Sequence, residues 1–272
     1  MKFPIVHRLL HETRRLIGSG LARYRLHHIR FANIDGNEVA IKTRQPGSHL
    51  AILFGNLYLF LRRSDIEVLS NEEWLRWEFA VQAAMNPGGV RRTNRWPIEP
   101  PRVLIARRVP GSTLRDILED EQFSLDQKFA AFGQALDSLH QLHCHQADWG
   151  NGVTQSVSHG DATVNNVIVS VELKSACWID FDIRHRPHLC EVDRQADDLR
   201  ALIYSAAINF PVSCFPRLAN VVRKSITHRF LMDRFRERLT NDWGWLSTFQ
   251  LAQAPLPWTT ANSLSQALSI VE

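Results

Sequence analysis

The middle of the chain carries two short apolar runs that leave few choices for local folding. The first run is Val167-Ile168-Val169, the second is Ala176-Cys177-Trp178-Ile179, and the polar residues Glu172-Leu173-Lys174 separate them. Runs rich in β-branched and aromatic residues, bounded by turn residues, are typical of a β-hairpin. Asn166 enters the first strand and Asp180 leaves the second. Because hairpin strands are antiparallel, these two oxygen-bearing side chains are predicted to meet at one edge.

Asn166 and Asp180 form a donor pair that suits Mg²⁺, which takes one or two protein oxygens together with phosphates and water. Upstream, His159-Gly160-Asp161 places a carboxylate five positions before Asn166. Asp161, Asn166 and Asp180 have the order and spacing of a phosphoryl-transfer site. In this interpretation Asp161 accepts the proton of the substrate hydroxyl. The alternative is a surface hairpin with Asp and Asn at its turns, which fits either residue alone better than the set.

Residues 31–42 contain a second hairpin pattern, with Asp35-Gly36 as its turn. The pattern ends in Val39-Ala40-Ile41-Lys42, the form of the kinase strand whose lysine contacts the nucleotide phosphates. The chain has 32 basic residues but only five lysines, so a lysine here is not expected by chance. A solvated lysine at a strand end is the alternative. We predict that Lys42 is a phosphate ligand.

A lysine in this role needs a carboxylate partner, and the segment from Ser70 predicts the helix that would supply it. Its end is predicted at Pro87-Gly88-Gly89. Glu78 lies in mid-helix among apolar residues, whereas Glu73 lies in the first turn, where an acid suits the helix dipole. Glu78 is therefore the predicted partner of Lys42, with Glu73 in reserve. The apolar residues of this helix are Trp74, Leu75, Trp77, Phe79, Val81 and Met85.

Three further segments fit the same interpretation. Residues 102–111 predict a strand running into a turn, followed by a helix start at residues 112–118. In kinases this passage binds the adenine through backbone groups, here those of Arg107 and Val109. Residues 129–143 and 194–207 have the apolar spacing of helices. Asp198, in the second of them, is predicted to accept backbone amides from the loop around His159, a solvated acid being the alternative.

Composition limits the class of protein. A hydrophobic content of 44% and a charged content of 22% are ordinary for a soluble globular chain, and 272 residues suffice for one large domain or two lobes. Four cysteines without C-x-x-C spacing predict reduced, cytosolic thiols. No apolar run approaches the ~20 residues of a membrane span. The net charge of +4 and pI of about 9.1 suit anionic partners, but no nucleic-acid-binding motif accompanies them.

Two apolar segments bear on membrane contact. Residues 5–17 carry apolar side chains at helical spacing with arginines around them, which suits either a helix at a membrane interface or one packed on the protein. Residues 50–63 are apolar and then doubly basic, and burial in the core is the favoured interpretation. The predicted location is cytoplasmic, with peripheral contact at the inner face of a membrane as an option.

His140, His143, Cys144 and His145 form a cluster that could suggest a zinc site. Zinc sites usually combine two separated ligand pairs, and no second pair follows at a recognised spacing. A structural zinc is therefore disfavoured.

Taken together, the motifs at Lys42, at His159-Gly160-Asp161 with Asn166, and at Asp180 resemble those of the protein-kinase-like superfamily. The resemblance covers about residues 25–210. Ile179-Asp180-Phe181-Asp182 and the stretch from Asp193 to Leu199 are similar to the lipopolysaccharide core sugar kinases, including the Kdo and heptose kinases.

The resemblance implies an α+β, two-lobed fold, with a small β-rich lobe over residues 1–108 and a mainly helical lobe over residues 109–272. It also implies ATP and Mg²⁺ as cofactors. The implied acceptor is a sugar hydroxyl of a lipid-linked glycan, or another small molecule.

The sequence departs from the protein-kinase pattern in its glycines before Lys42 and in the segment after Asp180, among other positions. Gly18 and Gly20 are the only glycine pair before Lys42 that could cover the phosphates, and no full G-x-G-x-x-G is present. The segment between Asp180 and Asp198 is short and lacks Ala-Pro-Glu, which favours a glycan or small acceptor over a peptide. Alternatives are a Ser/Thr protein kinase and a nucleotide-binding pseudokinase. The acceptor side is predicted to include Arg234, Arg236, Arg238, Trp243, Trp245 and Trp258.

Overall fold

The structure is a computed structural model that describes residues 26–61, 64–85, 90–92, 103–148, 152, 154–172, 174–226, 228–241 and 258–269. Several predicted features lie outside the described residues. They are the helix over residues 5–17, the glycines Gly18 and Gly20, the helix end at residues 87–89, and Trp243 and Trp245.

The first sheet contains the hairpin predicted around Lys42. Strand β1 (His27–Ile34) pairs antiparallel with β2 (Asn37–Arg44), and the order continues through β5 (Val103–Arg107) to β4 (Val90–Arg92). At the turn, Asp35 and Gly36 have φ values of 51° and 77°. Two successive positive φ values define the turn type that matches the twist of hairpin strands, so the predicted Asp-Gly turn is confirmed.

The second sheet contains the hairpin at the centre of the chain. Strand β9 (Val167–Ser170) pairs with β10 (Ser175–Trp178), and β6 (Ser112–Thr113) adds to the other side of β9. The predicted pairing of these two strands is confirmed. Two smaller pairs are β3 (Ile66–Val68) with β11 (Ile183–His185), and β7 (Gln146–Asp148) with β8 (Thr154–Ser156).

Two of the predicted helices start at residues whose polar side chains cap them. The helix predicted from residue 112 begins at Leu114, because Oγ1 of Thr113 accepts from the amide of Asp116 at 3.1 Å. The helix predicted from residue 129 begins at Leu125, because Ser124 and Gln127 form a capping box. The helices are α1 (Ser48–Leu61), α2 (Asn71–Met85), α3 (Leu114–Glu119), α4 (Leu125–Cys144), α5 (Glu191–Ala207), α6 (Phe215–Ser225), α7 (Arg229–Asn241) and α8 (Trp258–Ser269), with a 3₁₀ turn at Val212–Cys214.

One hydrophobic cluster joins most of these elements. It contains Trp74 of α2, Phe132 of α4, Leu202 of α5 and Trp178 of β10, all fully or almost fully buried. The sheets of the described residues are small and antiparallel, and helices pack beside them, so the fold is mixed α and β of the α+β type. The division at residues 108 and 109 stays a prediction.

Helix α1 corrects the expectation that residues 50–63 are buried. Ile52 and Leu59 do pack in a small cluster with Ile66 of β3 and Ile183 of β11. However, five large apolar side chains of the helix are 51–66% exposed: Leu50, Leu53, Phe54, Leu57 and Phe60. The helix has apolar residues on all its sides, so its sequence does not reveal which side meets the core.

Among the described residues, the helices are all too short or too polar to cross a bilayer.

Candidate active site

The central hairpin brings Asn166 and Asp180 together, as its pattern predicts. The amide of Ile179 donates to the carbonyl of Asn166 at 2.9 Å, directly beyond the last strand pair, Trp178 with Val167. Asp180 follows with φ of 69°, in the left-handed region that a non-glycine residue rarely adopts. Its side chain is 39% exposed. The strained backbone therefore holds a carboxylate that solvent or a ligand can reach.

Asp161 lies beside this hairpin edge. The side-chain amide of Asn166 donates to the carbonyl of Asp161 at 2.9 Å and to its Oδ2 at 3.0 Å. Since Nδ2 of Asn166 makes both bonds, the amide oxygen of the same side chain is directed away from Asp161. The loop between them closes through the amide of Thr163, which donates to the Asp161 carbonyl at 2.8 Å. The predicted base and the predicted metal ligand are thus neighbours.

Lys42 is buried beneath the hairpin edge and faces three carboxylates. Its Nζ donates to Oε2 of Glu78 at 2.8 Å and to Oδ1 of Asp182 at 3.1 Å, and it also contacts Asp180. Burial alone would lower the pKa of Lys42, but Asp180, Asp182 and Glu78 outweigh burial and raise it above the ordinary value. Burial raises the pKa of Glu78. Lys42 is therefore a cation fixed at the predicted phosphate position.

The choice between Glu78 and Glu73 is settled by the start of α2. The carboxylate of Glu73 accepts from the amide of Ser70 at 3.2 Å, while Oγ of Ser70 accepts from the amide of Glu73 at 3.4 Å. This reciprocal pair is a capping box. Glu78 lies one turn further along the helix, where it also accepts from the indole of Trp74. Glu78, and not Glu73, pairs with Lys42.

Asp198 supports the loop that carries Asp161, and this prediction is confirmed. The fully buried carboxylate accepts from the amide of His159 at 2.8 Å and from the amide of Gly160 at 2.9 Å. His159 in turn places Nε2 2.9 Å from the carbonyl of Ile179 and its ring 4.5 Å from that of Phe181. The loop and the hairpin edge are therefore connected through His159.

We expect Asp198 to make the protein sensitive to acid. Burial alone would raise the pKa of Asp198, but the imidazoles of His185 and His143 outweigh burial and lower it to about 2. The stabilisation is present above the unfolded-state pKa near 4 and is lost as pH falls towards 2. It is worth about 2 kcal/mol.

The test of this prediction compares urea unfolding of the wild type and of Asp198→Asn at several pH values between 5 and 2. The free energy of unfolding should fall less steeply in the variant, while Asp137→Asn, at an exposed carboxylate of α4, should keep the wild-type slope. Equal slopes for the wild type and Asp198→Asn would contradict the prediction.

A cavity of about 480 Å³ adjoins these residues. Lys42, Glu78, Asn166 and Asp180 contribute to its wall. The remaining wall includes the predicted adenine-side residues Arg107 and Val109, with Leu104, Ala106 and Ile168 supplying apolar surface. A volume in this range suits a small-molecule ligand. Asp161 does not line the cavity, but its carboxylate accepts a hydrogen bond from Asn166, which does.

Two of the clustered residues considered for a zinc site, His143 and Cys144, have different surroundings in the structure. Nε2 of His143 lies 3.0 Å from Oδ2 of Asp198, and Cys144 is an exposed free thiol. Within the part of the chain that the structure describes, the histidine, cysteine and acidic side chains close enough to share a metal ion are His27, Asp180 and Asp182.

Contacts of Asp182 and of Asp193 were not predicted. His27, at the start of β1, places Nδ1 2.7 Å from Oδ2 of Asp182. The sequence indicates Asp182 only through the resemblance, and no motif contains His27. Arg234 and Arg238, predicted on the acceptor side, both contact Asp193 of α5 and so join α7 to that helix.

A scan against models of known protein families finds no match for this chain, and a search of curated proteins finds none.

Proposed function

We propose that the protein is a Mg·ATP-dependent phosphotransferase with a two-lobed, protein-kinase-like fold. One observation carries the proposal: three segments that are distant in the chain contribute to the wall of a single cavity, with Lys42 from β2, Glu78 from α2, and Asn166 and Asp180 from the central hairpin. Because phosphoryl transfer depends mostly on positioning and charge neutralisation, these groups supply most of what the reaction requires. The two lobes would meet near residue 108.

The donor set fits Mg²⁺. Asp180 offers a partly exposed carboxylate, and Asn166 has its amide oxygen directed away from Asp161. Both are the oxygen ligands that Mg²⁺ prefers, and their number leaves room for phosphates and water. When bound, the ion would neutralise charge on the nucleotide phosphates.

The other residues have distinct parts in this proposal. Lys42, held by Glu78, binds phosphate oxygens. Asp161 accepts the proton of the acceptor hydroxyl, with Asn166 fixing the orientation of its carboxylate. Arg107 and Val109 provide backbone groups for the base, beside the apolar wall formed by Leu104 and Ile168.

A glycan or other small acceptor is favoured by the segment that follows Asp180. It consists of β11, a short turn, and the start of α5 at Glu191, and β11 is fully engaged in pairing with β3. Peptide-phosphorylating kinases use a longer segment here. The hydroxyl of a lipopolysaccharide core sugar is therefore our first candidate.

One observation favours a second candidate, a nucleotide-binding protein without catalytic activity. Lys42 contacts Asp180 directly, so the phosphate ligand and the metal ligand are engaged with each other. In this alternative the chain binds a nucleotide and serves as an interaction module.

An acceptor screen with labelled ATP and Mg²⁺ tests the proposal. We expect label to be transferred to lipopolysaccharide core fragments or aminoglycosides more efficiently than to generic protein substrates. Transfer should disappear on removal of Mg²⁺ with a chelator. ATP binding without transfer to any acceptor class would favour the second candidate, and the absence of ATP binding would contradict both.

A further inference from the structure

Three carboxylates meet one ammonium group at Lys42. An ammonium group has three hydrogens to donate. In the structure these are directed to Glu78, Asp180 and Asp182. If Asp180 binds the metal ion of the proposed site, Lys42 gives up that partner, and a phosphate oxygen can take the place of Asp180. The other two carboxylates must then balance the buried lysine.

Asp182 is fixed more firmly than Asp180. Its side chain is buried, whereas that of Asp180 is 39% exposed. Nδ1 of His27 lies 2.7 Å from Oδ2 of Asp182. Nζ of Lys42 donates to Oδ1 of Asp182 at 3.1 Å, and the amide of Leu69 donates to the backbone carbonyl of Asp182 at 2.9 Å. Asp182 is thus held from three directions.

His27 is itself held in place. Its ring centroid lies 4.4 Å from that of Trp74, and the residue is buried at the start of β1. Arg44, at the end of β2, lies over the same indole at 4.9 Å and donates to the carbonyl of Leu69 at 3.1 Å. His27 and Arg44, which are paired at the open end of the first hairpin, therefore both pack on Trp74 of α2 beside the carboxylate of Asp182.

We propose that Asp182, oriented by His27, is the permanent counter-ion of Lys42 and thereby frees Asp180 to bind Mg²⁺. Asp182 is a positioning residue, because it acts through Lys42 and does not touch the reacting atoms. The inference rests on the proposed phosphotransferase function.

The inference predicts how Asp182→Asn would fail. The substitution keeps the size of the side chain but removes its charge, so Lys42 is left with Glu78 and Asp180. Asp180 is then retained by the lysine and competes poorly for the metal ion. Partners that orient metal ligands typically contribute 10–100-fold to metal affinity. We expect a loss of about that size in Mn²⁺ affinity, with a smaller effect on kcat at saturating Mg²⁺.

The experiment measures Mn²⁺ binding to the full chain in the presence of a non-hydrolysable ATP analogue, by the electron paramagnetic resonance signal of free Mn²⁺. The matched control is Glu67→Gln, which removes one negative charge from β3, the strand paired with β11, where Glu67 binds Arg184 at 2.7 Å. Glu67→Gln should bind Mn²⁺ as the wild type does. In a parallel assay, the Mg²⁺ concentration for half-maximal transfer should rise for Asp182→Asn only.

Two substitutions of His27 test the same inference while every carboxylate stays in place. His27→Phe keeps a ring against Trp74 but removes the donor to Asp182, so it should weaken Mn²⁺ binding. His27→Asn keeps a side-chain N–H donor and should restore binding towards the wild-type value. If Asp182→Asn does not fold, His27→Phe and His27→Asn still test the role of Asp182.

Different results would overturn the role of Asp182 and the proposed phosphotransferase function. If the wild type binds Mn²⁺ and both Asp182→Asn and His27→Phe bind it with the same affinity, the inference is overturned and the proposed function stands. An equal loss in Glu67→Gln would also overturn it, because a general change of field would then explain the result. A wild-type protein that binds neither Mn²⁺ nor the nucleotide analogue would overturn the proposed function itself.

Discussion

Asp161→Asn is expected to reduce phosphoryl transfer by about 10²–10⁴-fold, the usual contribution of a positioned general base. The amide has nearly the shape of the carboxylate, so its oxygen can still accept from the side chain of Asn166. It cannot take a proton from the acceptor hydroxyl. Binding of Mg·ATP should change little, since Asp161 is not part of the cavity wall.

The measurement combines turnover of labelled ATP with calorimetric binding of Mg·ATP to the same preparation. Asp126→Asn, at an exposed carboxylate in the first turn of α4, is the control and should retain full turnover. A parallel loss of turnover and nucleotide binding would contradict the assignment, because it would place Asp161 among the nucleotide or metal ligands.

Lys42→Met is expected to lower the free energy of unfolding by about 3–5 kcal/mol and to abolish transfer. Removing one partner of a buried ion pair leaves an uncompensated charge, and the cost is typically of that size. Here Glu78, Asp180 and Asp182 would all lose the same cation. Transfer would fail because the nucleotide phosphates would lose their lysine ligand and only the metal ion would remain to position them.

Chemical denaturation of four proteins tests this expectation. The double variant Lys42→Met/Glu78→Gln should recover part of the stability that Lys42→Met loses, because it removes one of the unbalanced buried charges. Lys224→Met, at an exposed position of α6, should match the wild type. If the double variant is less stable than Lys42→Met, the carboxylates are not the source of the loss.

Local pattern explains why much of this site could be predicted from sequence. The hairpins of Lys42 and of Asn166 with Asp180 follow from short alternating runs and turn residues, which act over a few positions. Glu78 could be chosen because the apolar residues around it mark the buried side of α2. Asp198 could be chosen because Leu199 and Leu202 show which side of α5 faces inward. In each case the deciding information lies within one element.

The contacts that could not be predicted join elements that are distant in the chain. Asp182 meets His27 and Lys42 only after the first hairpin has packed against β11 and α2, and no periodicity in either segment indicates that approach. The exposure of Phe54 and Phe60 on α1 was unpredictable for a different reason. Apolar residues are also common on protein surfaces, so composition alone does not determine burial.

The two ends of the central hairpin are expected to differ in how well they tolerate inserted residues. Asn166 and Asp180 lie at its open end, while the turn after Ser170 lies at the opposite end, beyond the full length of both strands. Glu172 in that turn is exposed. Exposed turns of this kind accept inserted residues well. A short affinity or fluorescent tag placed after Glu172 would therefore report on the protein in cells without lengthening the path between its two metal ligands.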